Sequence, residues 1–180
     1  LGSARKALPG RPAAYWLGDG LRKVLESSRP LSDYADVVLG MKTSDNRRFV
    51  RYWWEVAGRE GEALPGWMAY EKEASGYRYG RLPAHSVRWT AAAREYYRSY
   101  YSAQLPNPRY WRREGIVFGL ISSKAFTAKL LPAGYMTDMA ASGVYPRDGR
   151  DTMVILGLLN AKVYQWALKV FSPTVNYEAG

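Results

Sequence analysis

The pattern of apolar residues from position 115 onward restricts the fold more than any other feature of the sequence. Short apolar runs separated by turn residues predict strands at 115–121, 126–131, 135–139 and 143–145. A nearly continuous apolar stretch follows at 152–171, where polar residues such as Lys162 and Gln165 are confined to one helical face. The sequence therefore predicts an α+β fold, in which an antiparallel strand meander packs on a long, largely buried carboxyl-terminal helix with further helices on the flank.

The first two thirds of the chain add shorter elements to this prediction. The spacing of apolar residues predicts helices at 13–28 and 90–104. Thr90 is suited to cap the start of the second helix, and Pro106 is suited to end it. Residues 67–70 predict a further strand.

One domain is predicted, because 180 residues of which 47% are apolar suffice for a single core. Residues 1–12 hold glycine, proline and basic residues without an apolar pattern, so we interpret them as a linker or arm and 13–180 as the domain. The chain begins at Leu1 instead of methionine and carries no signal-peptide pattern, so we expect a piece of a longer, cytoplasmic protein. Polar residues in the middle of 152–171 argue against a membrane span.

Residues 40–56 predict a turn followed by a strand. Gly40 can adopt backbone angles closed to other residues, and the Thr, Ser, Asp and Asn at 43–46 are turn formers. Aromatic and β-branched residues at 49–56 predict a strand. Because arginines flank the turn, a polar, basic loop on a rigid strand would suit contacts to a nucleic-acid backbone or base edge. An ordinary turn with solvated arginines is the alternative interpretation.

The charge of the chain favours a polyanionic partner. The net charge is +10, and arginine, which grips phosphates and guanine edges bidentately, outnumbers lysine. Between Arg78 and Arg113 lie many arginines and aromatic residues and a single acid, Glu95. This mixture is typical of a nucleic-acid face, where arginines hold phosphates and rings stack. The alternative is that the rings form the core and the arginines a solvated rim.

Several kinds of chemistry are excluded or disfavoured. The absence of cysteine excludes disulfides, thiolate zinc sites and thiol catalysis, and the single histidine, His85, disfavours a histidine metal site. No glycine-rich phosphate loop is present. The tetrad 107–110, Asn-Pro-Arg-Tyr, resembles the Asn-Pro-Pro-Tyr motif of amino methyltransferases, but its third residue is Arg109 and it follows a predicted helix. We therefore predict no catalytic residues, no metal and no cofactor in this chain.

Four stretches in the same order resemble the specificity part of large adenine-specific DNA methyltransferases, namely the PglX-like enzymes of BREX phage defence and the related type IIG restriction-modification enzymes. They are Gly40-x-x-Thr43-x-Asp45-Asn46-x-x-Phe49-x-Arg51-x-Trp53-x-Glu55-Val56; Arg113-Glu114-Gly115-Ile116 with Ser122-Ser123-x-x-Phe126; Pro132-x-Gly134-Tyr135 through Asp138 to Gly143-Val144-Tyr145-Pro146; and Leu156-x-x-Leu159-Asn160-Ala161-Lys162-Val163 with Ser172-Pro173-Thr174-x-Asn176-Tyr177. The resemblance covers about 14–180. The family usually carries glycine where this chain has Ser44, which leaves the turn geometry open.

The resemblance implies a target-recognition domain that reads double-stranded DNA for an adenine-specific methyltransferase. In such enzymes the other half of the chain binds S-adenosylmethionine and methylates a flipped adenine. The partners implied are therefore duplex DNA and the methyltransferase domain of the same parent chain. No chemistry is implied for this part.

The residues that we expect to bind DNA come from the polar loop and from the arginine-rich part of the chain. They are Lys42, Thr43, Asp45, Asn46, Arg47, Arg48, Arg78, Tyr79, Arg109, Arg112, Arg113, Ser122, Ser123 and Lys124. Asn46 and Ser123 are suited to base edges, and most of the cations to phosphates. Two other functions are left open by the residues: a single-strand or RNA-binding module that stacks bases on tyrosines, and a protein-interaction domain.

Overall fold

Two four-stranded sheets carry the fold, which is mixed α+β. The computed structural model describes residues 18–58, 64–72, 74, 76, 78–79, 83–120 and 126–171. The strands are β1 (Ala35–Val38), β2 (Val50–Tyr52), β3 (Trp67–Glu71), β4 (His85–Arg88), β5 (Gly115–Gly119), β6 (Ala128–Leu131), β7 (Met136–Thr137) and β8 (Ala141–Pro146). The helices are α1 (Asp19–Ser27), α2 (Asn46–Phe49), α3 (Ala91–Ser99), α4 (Thr152–Asn160) and α5 (Lys162–Phe171).

The first sheet is antiparallel and has the order β1-β8-β5-β6. Every residue of β5 is buried, because both faces of the sheet are covered. Side chains alternate along a strand, so Ile116 and Phe118 pack in the core beneath α4, whereas Val117 packs on the opposite face with Tyr110 and Tyr145. The two faces explain why β5 is an uninterrupted apolar run.

The second sheet has the order β2-β4-β3-β7 and packs against α3. The prediction of one antiparallel meander at 115–146 was therefore wrong in one respect. Its runs at β5, β6 and β8 are antiparallel strands of the first sheet, but β7 joins the second sheet, where it pairs in parallel with β3. The strand β4 between β2 and β3 was not predicted.

The predicted long helix at 152–171 is two helices instead of one. Ala161 adopts an extended conformation, with ψ at 143°, between α4 and α5. The Asn160 side chain holds this break: its amide donates to the Ala128 carbonyl (2.8 Å) and its carbonyl accepts from the Ala128 N–H (3.1 Å). Burial is also one-sided, since Ile155, Leu156 and Leu159 face the core, whereas Met153, Val154, Leu158, Val163 and Trp166 are exposed.

Two other predicted elements end earlier than expected. The helix predicted at 90–104 ends at Ser99, although its capping prediction is confirmed, because the Thr90 hydroxyl accepts from the Ala93 N–H at 3.2 Å. The strand predicted at 49–56 ends at Tyr52, where a 3₁₀ turn begins. The described part of the helix predicted at 13–28 starts at Asp19, and the predicted linker 1–12 lies outside the described residues. Over the described ranges, no helix has the length and apolar character needed to cross a bilayer.

Candidate nucleic-acid interface

The segment that follows β1 carries the chain from the first sheet to the second. At Gly40 a Cβ atom would lie 2.1 Å from the Asp138 carbonyl oxygen, so no other residue fits this crossing. The reason for glycine is therefore close backbone approach and not its freedom of backbone angles, since Gly40 is not among the glycines with positive φ. The next residue, Met41, donates its N–H to the Thr137 carbonyl at 2.7 Å, and Lys42 pairs with Gln104 through two backbone hydrogen bonds.

Residues 42–48, which we call the basic loop, form a tight turn that leads into α2. The Asp45 carboxylate caps α2 by accepting from the Arg48 N–H at 3.0 Å. Thr43 is only 2% exposed, and its hydroxyl donates to the Asn46 side-chain carbonyl at 2.7 Å. Hydrogen bonds from Thr43 and to Asp45 therefore stabilise the conformation of the loop, while the Asn46 side chain is exposed at the surface.

Ser44 has a left-handed backbone conformation, with φ at 63°. Glycine adopts this conformation without steric penalty, whereas a serine in the same conformation carries a steric cost. The Ser44 hydroxyl also accepts from the Ser102 hydroxyl at 2.9 Å. This bond joins the basic loop to the segment that follows α3.

Three cations project from the basic loop into solvent: Lys42, Arg47 and Arg48. Within the part of the chain that the structure describes, no carboxylate forms an ion pair with any of them. Arg51 behaves differently, because its guanidinium folds back and donates to the Arg47 carbonyl at 2.6 Å. The loop therefore presents three positive charges on a backbone fixed at both ends.

A row of tyrosines continues from Arg48 along the surface. The Arg48 guanidinium lies 5.1 Å from the Tyr96 ring centroid, and the Tyr96 and Tyr100 rings stack at 4.8 Å with 14° between their planes. Tyr101 lies 4.9 Å beyond Tyr100. We call Tyr96, Tyr100 and Tyr101 the tyrosine ladder. The neighbouring Tyr101 hydroxyl raises the pKa of Tyr100 above its ordinary value, with a smaller contribution from Tyr96, so Tyr100 stays neutral at physiological pH.

Other arginines near α3 stack on aromatic residues. The Arg94 guanidinium lies 5.8 Å from the Trp89 ring and that of Arg98 lies 5.9 Å from the Trp111 ring. The two indoles in turn meet edge to face at 5.2 Å. Here the indole rings are packed and the arginines cover them. This arrangement matches the alternative interpretation, in which the rings form the core and the arginines a solvated rim, and it differs from the more exposed tyrosine ladder.

The predicted second cluster of arginines is largely engaged within the protein. Arg109 lies 3.6 Å from the Asp36 carboxylate, which also accepts from the Tyr110 hydroxyl at 3.0 Å and from Arg147 at 3.2 Å. The Tyr110 hydrogen bond is the main reason why the pKa of Asp36 lies below its ordinary value, and Arg147 and Arg109 lower this pKa further. Arg113 donates to the Pro146 carbonyl. Of the three predicted arginines, Arg109 and Arg112 are exposed and Arg113 is partly buried.

The remaining predicted contacts are spread over other parts of the surface. Tyr79 extends the first sheet at the edge of β6, where its N–H donates to the Ala128 carbonyl at 3.1 Å, and its side chain is 58% exposed. Arg78 beside it is also exposed. The predicted contacts Ser122, Ser123 and Lys124 lie outside the described residues.

The tetrad 107–110 has a structural role in this fold. Asn107 accepts from the Arg109 N–H at 3.0 Å and so caps a 3₁₀ turn, and the Tyr110 ring is buried against Tyr145. The Tyr110 ring is thus occupied by a contact within the protein, which leaves it unavailable to stack on a flipped adenine.

The structure adds residues that were not among the predicted contacts, namely the tyrosine ladder with Ser102 and Gln104. The i, i+4 spacing of Tyr96 and Tyr100 predicts that these two rings stack on a helix. Their place beside the basic loop, in contrast, depends on pairing between Lys42 and Gln104, which are 62 positions apart in sequence and carry no pattern of pairing.

Comparison with curated proteins relates the chain to adenine-specific methyltransferases. It is 26% identical over 191 residues to the adenine-specific methyltransferase PglX of Lacticaseibacillus casei (strain Zhang), an alignment that covers 96% of this chain and 16% of PglX. It is 23% identical over 182 residues to the adenine-specific methyltransferase BrxX of Escherichia coli O9:H4 (strain HS), covering 97% of this chain and 15% of BrxX. The chain thus spans about one sixth of the length of these relatives. No protein-family model matches it.

Proposed function

We propose that this chain recognises double-stranded DNA in a sequence-specific manner for an adenine-specific, S-adenosylmethionine-dependent DNA methyltransferase of phage defence or restriction-modification. The observation that carries the proposal is the basic loop, whose exposed Lys42, Arg47 and Arg48 have no acidic partner among the described residues. Unpaired cations on a fixed backbone are suited to hold phosphates in register. The Asn46 amide, exposed between them, is suited to the N6 and N7 atoms of an adenine.

The similarity to PglX and BrxX supports a part in DNA methylation. Both relatives are named as adenine-specific methyltransferases, and each is about six times as long as the matched region. In this proposal the chain contributes recognition, while S-adenosylmethionine binding and methyl transfer belong to another part of a longer cytoplasmic protein.

An exposed apolar surface supports a contact with that other part. Met153, Val154 and Leu158 of α4 are exposed, as are Val163 and Trp166 of α5. Large exposed apolar side chains on a helix that is apolar on all sides are typical of a surface covered by a partner. We name these five residues the apolar face. Because the relatives have most of their length outside the matched region, the methyltransferase domain of the same polypeptide is the proposed occupant.

The test of DNA recognition is the salt dependence of duplex binding by the 180-residue chain. The variant in which both Arg47 and Arg48 are changed to Ala is expected to bind duplexes of every sequence more weakly. The slope of log affinity against log salt should also fall by about 1.8, because each lost phosphate contact removes about 0.9. Fluorescence anisotropy with a labelled duplex at several salt concentrations measures both quantities.

A matched control removes the same charge elsewhere. Arg150, in the 3₁₀ turn before α4, and Lys162, at the start of α5, are both exposed. Their joint replacement by Ala should leave the salt slope unchanged. An equal loss of slope in both double variants would mean that net charge alone attracts DNA, and it would remove the basic loop from the interface. Salt-independent capture of a protein partner would instead favour the interaction-domain alternative.

A further inference from the structure

The tyrosine ladder becomes progressively more open with distance from the basic loop. Tyr96 is partly buried beneath the Arg48 guanidinium, Tyr100 is exposed on one side, and Tyr101 is 90% exposed. The ring of Tyr101 contacts Tyr100 and has no other aromatic contact among the residues that the structure describes. One face of Tyr101 therefore has no aromatic partner among these residues, while the ring itself is tilted by 46° against the Tyr100 ring.

The backbone at Tyr101 is fixed by hydrogen bonds on both sides. The Tyr100 N–H donates to the Tyr96 carbonyl at 2.9 Å and the Ala103 N–H donates to the Tyr100 carbonyl at 3.0 Å, which close the turn that carries Tyr101. Ser102, the next residue, is bonded to Ser44 of the basic loop. An exposed aromatic ring on so constrained a turn loses little conformational entropy when a second ring stacks on it.

Cations lie at one end of this row of rings. Arg48 stacks on Tyr96, while the Lys42 backbone is paired with Gln104, three residues beyond Tyr101. A row of rings with cations beside it is an arrangement with which proteins bind unpaired nucleotides, since rings stack on bases and cations hold the phosphates.

The geometry points to Tyr101 as a stacking site for a nucleobase that has left the DNA double helix. This inference rests on the proposed function, because it places the base next to a duplex whose phosphates the basic loop holds. A base inside a paired duplex offers its faces only to its neighbours in the stack, so a ring can stack on it only after it is unstacked. The ligand of the ladder is thus a DNA duplex with an extrahelical or unpaired base.

The test compares two duplexes that differ by one unpaired 2-aminopurine, whose fluorescence is quenched by stacking. The chain is expected to bind the bulged duplex about tenfold more tightly than the paired duplex and to quench the 2-aminopurine. Tyr101→Ala should abolish both the preference and the quenching. Tyr101→Phe keeps the ring and should keep both signals.

Tyr34→Ala is the matched control, because Tyr34 is an exposed tyrosine that lies next to β1 and outside the ladder. It should change neither signal. If the chain binds both duplexes equally, or if Tyr101→Ala weakens both to the same extent, the stacking site is wrong and duplex recognition stands. Binding to the bulged duplex or to single strands without salt-dependent binding to paired duplex would support the stacking site and overturn the proposed function. No binding to any of these DNAs overturns both.

Discussion

Asp36 is the residue on which the contacts of the second arginine cluster converge. Its carboxylate accepts one hydrogen bond from Tyr110 and lies beside Arg109 and Arg147, so its partners come from two separate parts of the chain. These contacts stabilise the ionised form, so the pKa of Asp36 in the folded protein is below its ordinary value of 3.8. The resulting stabilisation is fully present above pH 3.8 and is lost as the pH falls through the lower pKa of the folded state.

Tyr110→Phe tests this contribution. Removal of the hydroxyl takes away the largest cause of the lowered pKa and is expected to lower the free energy of unfolding by about 1–2 kcal/mol at neutral pH. The difference from the original protein should shrink as the pH falls below 3.8, because Asp36 becomes protonated in both. Urea denaturation at several pH values measures it. Tyr164→Phe, which removes a hydroxyl without a described hydrogen bond, should show no such pH dependence.

Among the secondary-structure elements, those with strong local patterns were predictable. The apolar runs that become β5 and β8, and the Thr90 cap of α3, follow from the sequence alone. The strand β4 was missed because His85 and Arg88 bracket only one large apolar residue, Val87, and its conformation is set by pairing with β2 and β3.

The break between α4 and α5 shows the limit of local pattern more clearly. The run at 152–171 has no glycine or proline at the break, and apolar periodicity continues across it. What ends α4 is the Asn160 side chain, which binds Ala128 on the edge of β6 as a neighbouring strand would. Local pattern is limited in the candidate interface as well. The turn residues at 43–46 could be recognised from the sequence, but the position of the tyrosine ladder beside the basic loop could not.

The apolar face of α4 and α5 is expected to bind a partner without contributing to the stability of the chain itself. Leu158→Glu should leave the free energy of unfolding of the 180-residue chain nearly unchanged, because this side chain is 57% exposed. When the chain is produced together with the proposed methyltransferase domain as a separate polypeptide, the original chain should co-purify with that domain, and the variant should not. Lys162→Glu, a neighbouring exposed substitution, is the control. A chain that instead forms dimers, which Leu158→Glu dissociates, would contradict the proposed occupant.

At the scale of the whole molecule, a buried ion pair connects the two sheets. Lys129 of β6 lies 2.7 Å from Glu71 of β3, and their side chains are 1% and 4% exposed. Nearby, the second sheet is fastened to the chain crossing at Gly40, since the Tyr70 hydroxyl donates to the Asp138 carboxylate and the Asp138 N–H donates to the Glu71 carbonyl. The basic loop starts at this crossing, so the relative position of the sheets determines where its cations stand.

Because the Glu71–Lys129 pair is buried, each charge is stabilised mainly by the presence of the other. Removing one of them, by Glu71→Met or by Lys129→Met, is expected to lower the free energy of unfolding by about 3–5 kcal/mol, because the remaining charge is left in a site that water does not reach. Replacing both by Met should restore most of the loss or exceed the original stability, since two apolar side chains of similar volume need no solvation. Urea denaturation of the four proteins gives the coupling energy directly.

The Arg150–Asp148 pair provides the matched control, because its nitrogen and oxygen are also 2.7 Å apart while its arginine is 90% exposed. Arg150→Met should leave the unfolding transition unchanged, since water screens and solvates both charges. If Glu71→Met also left the unfolding transition unchanged, burial would not make the inter-sheet pair important for stability. The position of the basic loop would then depend on the Gly40 crossing and the Asp138 hydrogen bonds. If instead the single variants lose duplex affinity in proportion to their stability and the double variant regains both, the ion pair supports the interface through the packing of the sheets.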